Sequence, residues 1–444
     1  MLTFIRKTYF IWILMFSSCS QNGPAGLFKK ASPHEQYASK LRDAGLTKTA
    51  LGRQWLGAAE GCLEKPLTVS TPYKETGYFP ANQVSATALR FQAIKGTRID
   101  INFNKKPMKG FTVYIDLWED RDDQDKRLLA YADTNGTPFH HEVNDNDAFY
   151  ILRLQPELLS GGEYTLTITS GPSLAFPVPN GKMQSFWGAA RDAGTRQHEG
   201  IDIFAPRNSP ALAAADGVIR RVGTNKLGGN IVFLQPHKKN YSIYYAHLDT
   251  QLVVAGQTVS VGDTLGLVGD TGNARGGAPH LHLGLYGTGG AIDPFHYINP
   301  VITKPAAISS DLSLLGKASR TSALTKLLEG PSKSSTSITS LPSNTFVHIL
   351  SASAAWYKVA LPDGREGFLP SNHIRNLSNS IERYRLHADT PLLDEPADVT
   401  VSKKTLKQGD KLSVHARFDD YIYVRLGEID GWIKTEKETV SLNR

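Results

Sequence analysis

Between Met183 and about Pro300 the chain places glycines at 256, 262, 266, 269 and 272, with short apolar runs between them. Glycines at that density exclude long helices, because each one inside a helix costs about 0.5–1 kcal/mol relative to alanine. Runs such as Gly229-Asn-Ile-Val-Phe-Leu-Gln235 and Tyr241-Ser-Ile-Tyr-Tyr-Ala246 flank the turn Pro236-His-Lys-Lys239. The stretch therefore has to fold as short antiparallel strands joined by tight turns. Three histidine motifs are set into it: His198-Glu-Gly-Ile-Asp202, Tyr245-Ala-His-Leu248 and Pro279-His-Leu-His-Leu283. They take four of the thirteen histidines and leave His237 as a turn residue.

The spacing limits how those side chains can meet. On a straight strand His198 and Asp202 would stand about 13 Å apart, so a bend or loop entry at Gly200 is needed to bring them together. His280 and His282, two apart, share one strand face about 7 Å from each other. Imidazole and carboxylate are the donors of a catalytic zinc, which keeps three protein ligands and one position for water. His198, Asp202 and one of His280 or His282 can supply three. Spacing leaves open which of that pair binds, and it frees His247 and the other histidine to handle protons.

The same stretch resembles the lysostaphin-type (LytM-like) zinc metalloendopeptidases that cleave the peptide part of bacterial cell wall. The resemblance rests on Gln197-His-Glu-Gly-Ile-Asp-Ile203, Ala213-Ala-Ala-Asp-Gly-Val-Ile219, Tyr245-Ala-His-Leu248, the run from Ala255 to Gly272, and Pro279-His-Leu-His-Leu283, in the family's order and spacing. It implies an antiparallel β catalytic domain with one Zn2+. It further implies that His198, Asp202 and His282 are the metal ligands and that His247 and His280 are catalytic. Leu283-Gly-Leu-Tyr286 departs from the family's "HFEV" beyond the ligand, a difference that bears on groove shape.

At 444 residues the chain is too long for one domain. Arg6-Lys7 and the apolar run Tyr9–Phe16 read as a signal peptide over 1–18, too short to span a bilayer. Ser17-Ser-Cys19 resembles a lipobox, which implies a lipidated Cys19 and a tether over 19–33. Cys62, the other cysteine, reads as a buried apolar thiol. A helical segment is expected over 34–62, with Leu51, Trp55, Ala58 and Cys62 on one face. Period-two strands over 63–180 predict a β-sandwich accessory domain. Within it, Glu119-Asp-Arg-Asp-Asp-Gln-Asp125 lacks the glycine and closing glutamate of a calcium loop and reads as a hairpin tip. His140 and His141, on successive strand positions, face opposite ways and read as surface.

The catalytic domain is expected over 181–300. After a linker, Phe346–Leu350, Trp356–Val359 and Glu366–Leu369 are echoed by Lys411–His415, Tyr421–Val424 and Asp430–Ile433. This repeat of some sixty-five residues resembles bacterial SH3-type wall-binding domains and predicts two small barrels, 301–378 and 379–444, with Trp356 and Trp432 as candidate contacts. The fold class expected is thus mainly all-β. The function expected is a zinc-dependent endopeptidase acting on peptidoglycan, lipid-anchored to the membrane through Cys19 at the outer membrane or periplasmic face. The alternatives are a non-catalytic regulator of other hydrolases and a secreted protease cutting glycine-rich proteins. A net charge of +7, or +5 once Arg6 and Lys7 are removed, suits an anionic envelope polymer. With no Lys/Arg run, no nucleic acid partner is expected.

Overall fold

The computed structural model describes residues 31–121, 126–134, 137–145 and 148–435. The signal peptide, Cys19 and most of the acidic hairpin tip (Asp122, Asp123, Asp125) lie outside those residues. The chain is mainly β, as expected. Among the described residues no helix is long and apolar enough to cross a membrane.

Two helices come first. Pro33–Asp43 starts on a capping box in which Ser32 and Glu35 each satisfy the other's backbone N–H, and Gly45, at φ +73°, lets the chain turn out of it. Ala50–Glu64 buries Gly52, Trp55, Ala59 and Leu63. That stripe keeps Trp55 but is otherwise offset by one residue from the expected Leu51, Ala58 and Cys62, and Leu51 is exposed. The Trp55 indole donates to Pro156 O at 2.9 Å, and Gln155 Nε2 donates to Trp55 O at 2.8 Å. His34 lies 2.7 Å from Gln155 Oε1 and stacks on Trp55. These contacts pin both helices to the β-sandwich.

The sandwich packs a five-stranded sheet, built on Thr87–Ala93, Ala148–Pro156 and Val113–Asp120, against a second one containing Tyr73–Phe79, Gly162–Pro172 and Thr97–Lys106. Alternate residues such as Leu89, Phe91, Ile101, Leu117, Leu152 and Leu166 fill the space between. The second sheet does not end at the sandwich edge. Strand Tyr73–Phe79 pairs with Phe346–Ser353 of the first C-terminal barrel (Thr76 with Ala352, Gly77 with Ser351), so one sheet runs through both.

That junction buries a charge pair. Glu75 is fully buried and accepts from Tyr73 and Tyr164 hydroxyls and from Ser351 Oγ, each at 2.8 Å, and from Lys358 Nζ at 3.2 Å. Burial alone would raise the Glu75 pKa, but Lys358 and the three hydroxyls outweigh it and hold it below the ordinary carboxylate range. Phe368 of the barrel completes the sandwich core.

The two barrels share a strand rhythm. The bulge between Ile349 and Ser351 recurs between Val414 and Ala416, 65 positions on. Phe418, Tyr421 and Trp432 of the second barrel pack into the first, with the Trp432 ring 4.9 Å from Phe346. Trp356 packs against the sandwich core. Trp432 is thus buried in packing, while Trp356 is half-buried against the sandwich.

The domain between Lys182 and Ile298 is a strongly bent antiparallel sheet whose central order is Lys182–Ser185, Ile201–Phe204, His280–Gly287, Tyr241–Gln251, Gly229–Pro236, Gly217–Asn225. Ile201, Ile203, Val232, Leu234, Ile243, Tyr245, Leu281 and Leu283 point to one face and form its core. A single helical turn, Phe295–Ile298, closes it.

The buried pair at the sandwich–barrel junction generates a prediction. Glu75→Ala leaves Lys358 charged and unpaired, a loss of about 3–5 kcal/mol, to be read from the urea midpoint. Because the folded-state pKa of Glu75 is lowered, its contribution is fully present above about pH 4.3. It is lost as pH falls through the folded value, so the variant should show less acid sensitivity than the parent.

Candidate metal centre and groove

The face of the bent sheet opposite its core is the floor of a groove of about 1060 Å³, and all its lining residues lie between Ser185 and Tyr286. Strand alternation puts the chemistry there. In His280-Leu-His-Leu283 the leucines enter the core and both histidines face the groove. Antiparallel register sets Asp202 directly opposite His282, and Phe204 opposite His280. On the other side Ala246 pairs with His282, a small residue that leaves the ring room.

His198 reaches the site from just outside its strand, through Gly200. A Cβ at Gly200 would lie 2.5 Å from Leu283 O and 2.6 Å from the His282 ring, so only glycine fits where the chain bends. His247 arrives by a different device. The register of Gly229–Pro236 with Tyr241–Gln251 slips between Asn230 and Val232, and this bulge turns His247 into the groove. His247 sits at φ +62°, a left-handed conformation uncommon for non-glycine residues.

The structure brings all five expected residues together. His198 Nε2, Asp202 Oδ1 and His282 Nδ1 form a triangle with all three sides 3.0 Å. The His280 Nε2 is 4.0 Å from Asp202 Oδ1, and the His247 ring centroid lies 5.0 Å from His280 and 5.8 Å from His282. His198 and Asp202 are buried.

Hydrogen bonds set the tautomers. His198 Nδ1 lies 3.0 Å from Phe186 O, His247 Nδ1 2.8 Å from Thr271 O, and His280 Nδ1 2.9 Å from Ala278 O. A carbonyl only accepts, so in each neutral ring Nδ1 carries the proton and Nε2 offers a lone pair. Burial opposes ionisation of Asp202, but wherever the facing nitrogens of His198 and His282 carry a proton their hydrogen bonds and charge outweigh it and hold the carboxyl far below its usual range. Burial pushes His247 down to about 4, against the Thr271 carbonyl, which raises it. His282 is lowered by burial, partly offset by Asp202.

The proton count of the triangle bears on whether it suits a metal ion. With neutral rings, the His198 Nε2 lone pair faces the Asp202 anion at 3.0 Å with no proton between them. One proton on His282 Nδ1 can serve a single side of the triangle. A cation resolves all three contacts. Zinc bonds of about 2.0–2.1 Å set tetrahedral donors roughly 3.3 Å apart, close to the separations found here. The His/Asp/His set therefore fits a zinc-type ion, and these three are a His/Asp grouping with all donor atoms within 4.8 Å of one another.

Sequence reasoning missed Arg191, whose guanidinium lies 2.7 Å from Asp202 Oδ2, and Ser185, 2.6 Å from that guanidinium. Neither belongs to a motif, and an arginine seven residues before His198 carries no spacing signal. His140 and His141 are remote from the groove, on a strand of the sandwich, with His140 exposed.

Residues 196–294 match the profile of Peptidase family M23, and residues 322–375 match that of the bacterial SH3 domain. The chain thus carries a domain of Peptidase family M23, a family of metallopeptidases, followed by a bacterial SH3 domain. Among curated proteins, the peptidoglycan DD-endopeptidase ShyC of Vibrio cholerae is 40% identical over 87 residues, which is 20% of this chain and 19% of its own length. The L-Ala--D-Glu endopeptidase of Bacillus subtilis is 34% identical over 139 residues, 28% of this chain and 42% of its own length. The chain therefore spans between about a fifth and two fifths of these relatives. Among solved structures, the catalytic domain of lysostaphin from Staphylococcus simulans is 29% identical, with 26% of this chain and 91% of that chain covered and a TM-score of 0.25.

The tight fit at Gly200 can be tested directly. Gly200→Ala should weaken zinc binding at least tenfold by titration calorimetry, because its Cβ displaces the His282 ring. Overpacking should lower stability by about 1–3 kcal/mol.

Proposed function

We propose that this protein is a zinc-dependent endopeptidase that hydrolyses peptide bonds in peptidoglycan at the cell envelope. One observation carries the reading: three donor atoms 3.0 Å apart stand beside two further histidines whose Nδ1 protons are already committed to backbone carbonyls. His198, Asp202 and His282 are assigned as metal ligands, His247 and His280 as catalytic residues. What the ion supplies when bound is Lewis acidity, toward a carbonyl oxygen and toward water.

The chain's own residues account for proton movement. His247, neutral because of burial, takes a proton from the attacking water on Nε2. His280 orients that water from the neighbouring wall. As the water oxygen bonds to the carbonyl carbon and the C–N bond breaks, His247 returns the proton to the departing amine. Asp202 stays ionised throughout.

The regulator alternative needs a lost position, and all five are filled. The choice between wall peptides and glycine-rich proteins rests on charge. Arg191, Arg196, Arg221, Lys226 and Arg275 line the groove against Glu199 and Asp202 only. Among the described residues no carboxylate pairs with Arg221, Lys226 or Arg275. A peptide bearing free carboxylates, such as a wall stem peptide, satisfies these cations, and a polyglycine segment does not. The relatives' names, peptidoglycan DD-endopeptidase and L-Ala--D-Glu endopeptidase, support the same substrate class. Lipid attachment at Cys19 and the domain limits near 180, 300 and 378 belong to this proposal; a partly matching E. coli relative is named a lipoprotein.

Digestion of purified muropeptides followed by mass spectrometry tests the reading. The parent should release soluble peptide products, lose activity to a chelator and regain it with zinc. His247→Ala and His280→Ala should keep zinc yet lose about a hundred- to ten-thousandfold in rate. Amidating the substrate carboxylates should slow the parent. Absence of cleavage by the zinc-loaded parent would leave the regulator reading in place.

A further inference from the structure

Arg191 lies outside the 196–294 match and has no part in the proton transfers above. It sits on the two-residue strand Ala190–Arg191, directly opposite Arg196 of the strand Arg196–Gln197. Like charges placed opposite each other across an antiparallel pair are destabilising, so packing within this hairpin does not explain the choice of residue. The contacts on its other side do. One guanidinium nitrogen, Nη2, lies 2.7 Å from Asp202 Oδ2 and 2.6 Å from Ser185 Oγ. Ser185 is itself the register partner of Asp202, and its hydroxyl lies 3.4 Å from His198 Nδ1.

The two oxygens of Asp202 therefore have separate tasks. Oδ2 is tied to Arg191, while Oδ1 alone faces His198 Nε2 and His282 Nδ1 at 3.0 Å. A carboxylate free to rotate could offer a metal both oxygens and fill the position that a catalytic site reserves for water.

We propose that Arg191 is a positioning residue for the metal centre: by holding Oδ2 it restricts Asp202 to one-oxygen ligation and keeps a coordination position open. The inference rests on the zinc reading given above. Its sign separates it from simple electrostatics. A guanidinium beside a dication repels it, so if charge alone mattered, removing Arg191 would tighten metal binding. If Arg191 preorganises Asp202, removing it frees the carboxylate to leave its binding orientation in the metal-free protein, and that loss weakens binding by the ten- to hundredfold typical of residues that hold a metal ligand in place, even though a second oxygen can then reach the ion.

The test uses the full chain and two readouts other than activity. Zinc affinity is measured by competition with a chromophoric chelator, and coordination by the visible absorption of the cobalt(II)-substituted protein. Arg191→Ala should bind zinc about 10–100-fold more weakly, and its cobalt bands should lose intensity as the second carboxylate oxygen joins the ion. Ser185→Ala, which keeps the guanidinium but removes one of its supports, should move both readouts in the same direction by less. Thermal unfolding of the metal-free variants identifies any loss of fold; should Arg191→Ala fail to fold, the Ser185→Ala result decides. Unchanged or tighter zinc binding with an unchanged cobalt spectrum would overturn the assignment. A parent that binds no zinc would overturn the metal reading itself, a different result from a parent that binds and a variant that binds equally.

Discussion

Three potential metal-donor atoms meeting at 3.0 Å, on His198, Asp202 and His282, are the constraint around which this domain is arranged. Without a cation or a proton between them they repel, and burying them without a partner would cost several kcal/mol. The fold accepts that placement because each donor is held by a separate device. His282 and Asp202 are locked opposite each other by antiparallel register, His198 by a bend that only Gly200 allows, and its ring by the Phe186 carbonyl. The core of leucines and isoleucines on the reverse face supplies the rigidity, since a register slip of one residue would send His280 and His282 into that core.

Among the described residues, the remaining domains leave this groove to itself. Its lining residues all come from the metal-binding domain, while the N-terminal helices are pinned to the sandwich through Trp55, His34 and Gln155. The first barrel is built into the sandwich by a shared sheet and by the buried Glu75–Lys358 pair. It is therefore continuous with the sandwich, and a chain truncated before it would leave Glu75 without its counter-charge.

Much of the site was legible because short-range geometry creates it. The alternation in His280-Leu-His-Leu283 already states which residues face the groove, and the glycine in His198-Glu-Gly-Ile-Asp202 already requires a bend. The resemblance to a known family then chose between His280 and His282. What stayed hidden depends on partners far away in sequence. Glu75 and Lys358 are 283 residues apart, and neither carries any local sign of burial. Arg191 belongs to none of the motifs and becomes meaningful only when the sheet brings Asp202 to it. Trp432 looked like a contact residue because aromatic rings serve both packing and binding; its place against Phe346 decides for packing. The bulge that turns His247 inward is a register effect, invisible in Tyr245-Ala-His-Leu248 read as a regular strand.

The central claim is the identity of the ligand set, and zinc K-edge X-ray absorption of the metal-loaded full chain tests it most directly. The account predicts four-coordinate zinc with two imidazole nitrogens and two oxygens at about 2.0–2.1 Å, with the imidazole scattering unchanged in His247→Ala and reduced in His282→Ala. Three or more imidazoles on the metal, or a loss of imidazole scattering in His247→Ala, would contradict it.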